Sequence, residues 1–282
     1  MFDGLYRRFI DAVDRGTLAP GLQKRLWRWW YQALAMNWRD RQWTFMNYGW
    51  VPLSGEPAFA LLPEDEPDRC FIGLYRYLAE RVAPAGMRVL EVGSGRGGGS
   101  SYLCRYHEPS EVVGVDYSGS AVRLATRLHA GVKGLSFVEG DAERLPFEDN
   151  SFDVVINVES SHCYANMSAF LGEVRRVLKP GGRFGWVDIR GDGMIADTEA
   201  AFAGCGMLLV EAEDFTPNVA QSMLASQARK EALISRMWLG KAIAREFAAT
   251  PGSTIHRALQ HGGARYLGKV FRKPELPHEC LT

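Results

Sequence analysis

The residues best suited to do chemistry lie where short apolar runs end. Residues 89–92 lead into Gly93-Ser94-Gly95-Arg96-Gly97-Gly98-Gly99, which opens a helical stretch. Glycines in such a turn let backbone approach a ligand closely, and the next helix aims its first N–H groups at it. Gly93, Gly95 and Gly98 also satisfy the dinucleotide fingerprint, so the loop alone leaves two enzyme classes open. Three neighbours separate them. Glu91, two residues before Gly93, would repel a pyrophosphate but attract an ammonium or sulfonium. Asp116 ends the next apolar run nineteen residues past Gly97, where its oxygens can accept from both hydroxyls of a ribose, as either cofactor requires. Gly140-Asp141-Ala142 follows the third run, where a carboxylate can accept from an adenine amino group and the next backbone N–H can donate to the ring. Together they define a pocket for an adenosine bearing a cationic amino-acid tail.

A second reactive group, Glu159, His162, Cys163 and Tyr164, follows the run at 152–158. Ligands of open α/β sheets lie beyond the carboxyl ends of the strands, and an imidazole titrates near neutral pH. His162 is therefore the candidate general base, a role worth roughly 10²–10⁴-fold when an alcohol must lose its proton. Nothing supplies an oxyanion site for Cys163 as a nucleophile, so it reads as buried filler. Cys70, Cys104, Cys163, Cys205 and Cys280 form no CxxC pair and no zinc-spaced cluster, so no metal is expected.

These side chains need a scaffold that brings strand ends together. The runs at 89–92, 112–116, 135–139, 152–158 and 184–188 alternate with helical stretches at 100–106, 121–129 and 167–178, the signature of βαβ units and a parallel sheet. Lys179-Pro180-Gly181-Gly182 reads as the stop of the last of these helices. A helix at 195–203 and strands at 208–212 and 264–272 continue the alternation. Between the two strands, 218–249 reads as a long helical insertion whose Met223, Leu224, Leu233, Ile234, Met237, Trp238 and Ile243 could roof a pocket or simply pack in the core.

Ahead of the sheet, Leu22, Leu26, Trp29, Ala33 and Leu34 share one face of a helix, 45–67 is a punctuated loop, and 68–82 is a further helix. Trp27, Trp29, Trp30, Tyr31, Trp38, Trp43, Tyr48 and Trp50 make this zone aromatic enough to lid a greasy acceptor or rest transiently on a membrane surface.

The chain has 282 residues, 46% of them hydrophobic, so it can bury a core without disulfide or metal staples. Its 33 basic and 33 acidic residues cancel, which leaves no field of the kind nucleic-acid binders carry. The first eight residues place acid before base, Asp11 and Asp14 interrupt what would be a signal core, and no uncharged apolar run approaches the roughly 18 residues of a membrane span. A cytoplasmic protein is expected.

In order and spacing, Glu91-x-Gly93-x-Gly95-x-Gly97, Asp116, Gly140-Asp141-Ala142 with Leu145-Pro146-Phe147, and Leu178-Lys179-Pro180-Gly181-Gly182 resemble the class I S-adenosylmethionine (SAM) dependent methyltransferases. The resemblance covers about 88–188. It implies a Rossmann-like seven-stranded sheet, with 1–85 an N-terminal helical extension, 86–216 the SAM-binding core, 217–263 a helical lid insertion, 264–273 the last core strand and 274–282 a tail. It also implies that Gly93, Ser94, Gly95 and Gly97 line the methionine part of SAM, Asp116 with Tyr117 the ribose, Asp141 and Ala142 the adenine, and Asn157 and Val158 the methionine amino group. Gly97-Gly98-Gly99-Ser100-Ser101-Tyr102-Leu103, Asn157-Val158-Glu159-Ser160-Ser161-His162-Cys163-Tyr164 and Phe45-Met46-Asn47-Tyr48-Gly49-Trp50 are similar to the phthiotriol/phenolphthiotriol dimycocerosates O-methyltransferase group and related lipid and natural-product methyltransferases.

The expected reaction is O-methylation of a hydrophobic small molecule, with His162 as base and Tyr48, Trp50, Tyr164 and Trp238 against the acceptor. C-methylation of a prenyl double bond, N-methylation, or SAM binding without transfer remain open, as does assembly into a homo-oligomer.

Overall fold

Seven runs form one sheet in the computed structural model, which describes residues 12, 21–22, 25–26, 40–53, 59–237 and 241–275. The strands are β1 (Arg88–Val92), β2 (Glu111–Asp116), β3 (Leu135–Glu139), β4 (Phe152–Val158), β5 (Leu178–Gly191), β6 (Leu208–Asp214) and β7 (Ala264–Arg272), in the order β3-β2-β1-β4-β5-β7-β6. All neighbours are parallel except β7, which runs antiparallel to β5 and β6. The chain winds outward from β1 through β2 to β3 and returns to place β4 on the other side of β1. Strand order therefore reverses between β1 and β4, and a crevice opens at their carboxyl ends.

Five helices belong to the alternating part: α1 (Arg69–Val82), α2 (Gly98–Tyr106), α3 (Gly119–Leu128), α4 (Met167–Val177) and α5 (Asp192–Ala203). Their apolar faces close the sheet on both sides, as crossover connections require. Val89, Val154 and Ile156 pack with Ile72, Leu74 and Leu78 of α1 on one face. Leu90 and Val155, pointing the other way, pack with Phe170, Leu171 and Val174 of α4 and with Trp186. This double burial explains why the central strands read as continuous apolar runs.

The structure sharpens the sequence reading in two places. The helix stops ahead of Lys179–Gly182 as expected, but the strand expected at 184–188 already begins at Leu178 and takes that stretch in. The helix ends at Val177, Leu178 already pairs with Phe152, and the ladder resumes at Val154 and Arg183, so the four residues bulge within β5. Gly181 N–H donates to Lys273 O, and Lys273 N–H to Gly182 O. The helical insertion expected at 218–249 is built from separate helices, α6 (Thr216–Ala225), α7 (Gln227–Ser235) and α8 (Lys241–Phe247), followed by α9 (Thr254–His261). The first break falls at Ser226, whose hydroxyl bonds back to Ser222 O at 2.7 Å, a serine contact that bends helices. The aromatic N-terminal helix, the Leu22–Leu34 stripe, Trp238 and Cys280 fall outside the described residues or on isolated members of them.

Candidate functional site

A cleft of about 1140 Å³ opens at the reversal point. Its floor is the turn after β1. Gly93 and Ser94 N–H groups donate to Val115 O at 2.8 and 3.0 Å, which folds the loop back onto the end of β2. Gly93 adopts φ +80, and a Cβ there would also collide with the Ser160 hydroxyl, so only glycine fits. Asp116 holds the turn from below. Its Oδ2 accepts from Gly95 N–H at 2.9 Å and its Oδ1 from Ser118 N–H at 2.8 Å. A carboxylate has about four acceptor sites, so each oxygen keeps capacity for a ligand hydroxyl. Gly140, Asp141 and Ala142 form the far wall, with Asp141 Oδ1 accepting from Glu143 N–H at 3.0 Å.

Residues 44–47 close the cleft from the N-terminal side, with Tyr75 of α1 beside them. Arg96 of the glycine turn ties this segment down: its guanidinium donates to Trp43 O and, at 3.2 Å, to Asp40 O, and lies over the Trp43 ring. From the other side, Arg229 of α7 donates to Gln42 O at 2.8 Å while pairing with Asp68 at 2.8 Å.

Phe45, Met46 and Asn47 also line a second cavity of about 480 Å³, directly behind the first. Its remaining wall comes from Trp43, Tyr48 and Phe71 and from Leu233, Ile234, Met237, Ala244, Phe247 and Ala248 of the broken insertion. Lys230 is its one charged lining residue among those described.

Between the two cavities stands Glu159, at the end of β4 with φ +47, a strained conformation for a non-glycine residue. Its Oε2 accepts from Tyr48 N–H at 2.8 Å and from the Tyr266 hydroxyl. Burial pushes its carboxyl up to about 8, beyond what these hydrogen bonds and the His162 charge offset.

The cleft fits an adenosyl sulfonium cofactor. Asp116 presents spare acceptors at the end of β2, and the Ser94 hydroxyl is buried in the lining with no hydrogen-bond partner among the described residues, a group that a ligand would satisfy. Residues 90–185 match the family model described as a methyltransferase domain. The chain is 35% identical to phthiotriol/phenolphthiotriol dimycocerosates methyltransferase of Mycobacterium leprae over 89% of its own length and 93% of the relative's. It is also 35% identical to fatty-acid O-methyltransferase of Mycolicibacterium smegmatis over 94% and 97% of the two lengths. The chain belongs to this family of SAM-dependent methyltransferases.

Two solved structures share the fold at low identity. The [4+2]-cyclase SpnF superposes with TM-score 0.63 at 22% identity over 87% of this chain and 94% of its own. The geranyl diphosphate C-methyltransferase of Streptomyces coelicolor A3(2) superposes with TM-score 0.62 at 17% identity over 86% and 97%.

In this methyltransferase Gly93, Ser94, Gly95, Asp116, Tyr117, Asp141, Ala142 and Val158 line the cofactor cleft, whereas Glu91, Gly97 and Asn157 do not. Glu91 is fully buried beneath the turn, where it accepts from Tyr75 OH at 2.8 Å and from the Ser100 hydroxyl. Burial raises it to about 7 against the effect of both bonds, and it is Tyr75, not this carboxyl, that lines the cleft. Gly97 caps α2 with φ +82 and abuts Phe137. Asn157 donates to Val92 O, Ser160 Oγ and Tyr164 OH at 2.9, 2.7 and 3.0 Å, which fixes the shape of the wall.

The aromatic candidates also separate. Tyr164 lines the cofactor cleft and Tyr48 the second cavity. Trp50 lines neither: half-buried, it packs on Tyr77 at the edge of the core, with ring centroids 5.9 Å apart. Residues 45–47 entered the sequence reading only as part of a resemblance motif, without a place in the site, and Thr44, Tyr75 and Lys230 not at all. Lys230 alone carried a signal, a lysine among apolar residues at helical spacing with Leu233, Ile234 and Met237.

His162 occupies a short 3₁₀ turn, Ser161–Cys163, outside the lining of either cavity. Its Nδ1 lies 2.7 Å from Asp188 Oδ1, and its backbone N–H donates to Asp188 Oδ2 at 2.9 Å. Asp188 also accepts from Ser161 Oγ at 2.6 Å and pairs with Arg190 at 2.9 Å, all within β5 and this turn. Burial opposes Asp188 ionisation, but Arg190 and His162 hold its carboxyl well below the usual range. Burial alone would likewise lower the imidazole's proton affinity; Cys163 and Asp188 outweigh it and hold His162 well above its ordinary value.

Proposed function

We propose that this methyltransferase places the methyl group on an oxygen atom of an apolar, lipid-like acceptor held in the second cavity. The observation that carries the reading is the shared wall: Phe45, Met46 and Asn47 belong to both the cofactor cleft and an otherwise greasy cavity. When bound, SAM supplies a methyl group already activated by its sulfonium. The chain's contribution is then to hold the acceptor in line and keep water out, which apolar walls and residues 44–47 do. Relatives named for phthiotriol and phenolphthiotriol dimycocerosates and for a fatty acid support a lipid acceptor.

Lys230 favours oxygen over the alternatives. A carbocation formed by C-methylation, or the ammonium formed by N-methylation, would place a second positive charge in a cavity that already holds one. A hydroxyl acceptor must release a proton, and His162, oriented through Nδ1 by Asp188, is the residue through which it would leave. Because the imidazole is held protonated above its ordinary range, turnover by that route should rise with pH, and the rise should lie at higher pH than an ordinary imidazole would give.

The test is incubation with methyl-labelled SAM and a panel of apolar alcohols, acids and prenylated compounds, with products read by mass spectrometry. Label on oxygen is expected, and label on carbon would sink the reading. His162→Ala at unchanged SAM affinity should lose turnover on alcohols; wild-type turnover would remove His162 from the proton path.

A further inference from the structure

Lys230 is 5% exposed and lies on the wall of the second cavity. Its Nζ makes no hydrogen bond and reaches no carboxylate within ion-pair distance among the described residues. The rings of Tyr48 and Phe71 lie 5.6 and 6.0 Å away, and Glu159 and Cys70 act on its charge from beyond ion-pair distance. An ammonium buried without a partner is costly, and folded chains keep one where a ligand supplies the missing anion.

We propose that the second cavity binds the acceptor as a long-chain carboxylate, with the carboxylate on Lys230 and the alkyl chain against Phe45, Phe71, Leu233, Ile234, Met237 and Phe247. A lone ammonium among apolar walls matches a monoanion with an apolar tail. The nearby carboxyl of Glu159, pushed up to about 8 by burial, is largely protonated at neutral pH and does not repel the ligand. Methyl transfer to this acceptor balances without a base. One carboxylate oxygen bonds to the methyl carbon, the electron pair of the carbon–sulfur bond stays on sulfur, and the products are a methyl ester and S-adenosylhomocysteine. With a carboxylate acceptor His162 has no proton to take, so its place on the proton path applies to alcohol acceptors alone.

The inference rests on the O-methylation reading, and binding tests it apart from turnover. Decanoate and decanol are titrated calorimetrically into the full chain in the presence of S-adenosylhomocysteine, for wild type, Lys230→Met and Lys230→Arg. Wild type should bind decanoate more tightly than decanol. Lys230→Met should weaken decanoate by about 10- to 100-fold, the range for a hydrogen bond to a charged group. Affinity for S-adenosylhomocysteine should not change, and Lys230→Arg should recover most of the loss. Equal affinity of Lys230→Met and wild type for decanoate, or of wild type for acid and alcohol, would overturn the carboxylate subsite. Labelled ether on decanol without decanoate binding would overturn it too while leaving O-methylation standing; label on carbon would strike the broader reading instead.

Discussion

Lys230 is buried where its charge is most expensive, and the expense is measurable. Burial lowers its pKa from 10.5 to about 8, only partly offset by Glu159 and Cys70. That drop corresponds to roughly 3 kcal/mol lost from the folded state. The sign is fixed by linkage: the penalty is complete below about pH 8, where the folded chain holds the ammonium. It fades up to about 10.5, where the unfolded chain also gives up its proton. Lys230→Met, similar in length and without charge, should therefore be more stable than wild type in urea titrations at pH 7, and its advantage should shrink between pH 8 and 10.5. An advantage that stayed flat over that range would show that burial of the charge is not its source. A stabilising substitution that removes ligand affinity is the pattern expected of a residue kept for function. Sequence reasoning passed Lys230 by because a lysine in a helical insertion ordinarily points to solvent, and only packing against residues 43–48 shows that this one does not. Trp50 differs in the opposite sense: an aromatic beside candidate site residues is chemically suggestive, yet its half-buried ring packs against the core beside Tyr77 and lines neither cavity.

At the scale of elements, the cofactor turn depends on β2 as much as on its own glycines. Asp116 ties Gly95 to the start of the next loop through Ser118, so a single carboxylate both shapes the turn and keeps acceptor sites for a ribose. Asp116→Ala should weaken SAM binding on the order of 100-fold or more, since charged hydrogen bonds contribute about 1.5–3 kcal/mol each. The same change should lower the melting temperature, because two backbone donors lose their partner. Calorimetric titration checks the first effect, and a loss under tenfold would contradict it. The shape of this turn was legible in the sequence because each of its parts is local: a strand end, a glycine turn, a carboxylate at fixed spacing. β3 and β4 fall at the expected residues, as does β7. The 218–249 break and the β5 bulge were not legible, since the first turns on one serine hydroxyl and the second on bonds to Lys273, far along the chain.

At the scale of the whole molecule, residues 45–47 are what the two cavities share among the described residues, and that segment is held by distant parts of the chain. Arg96 binds its start from the cofactor turn, Gly98 N–H donates to Thr44 O at 3.2 Å, and Arg229 reaches Gln42 O from α7 while pairing with Asp68 at the foot of α1. No local pattern announces such a strap, because every bond in it joins residues far apart in sequence. Its mechanical consequence is coupling: a ligand that orders 44–47 from the cofactor side prepares the wall of the acceptor cavity, so the second ligand has less ordering left to do. Decanoate should bind more tightly with S-adenosylhomocysteine present than without it, by a factor in the range of about 5–150 typical of coupled sites, and linkage requires the reciprocal gain for S-adenosylhomocysteine. Arg229→Ala touches neither cavity but releases the strap from α7, so it should reduce this factor more than it changes either affinity alone. Titrating each ligand in the absence and presence of the other measures the factor directly. A value of one in wild type would mean that residues 44–47 are set before either ligand arrives, and the strap would then be a fixed partition between two independent sites.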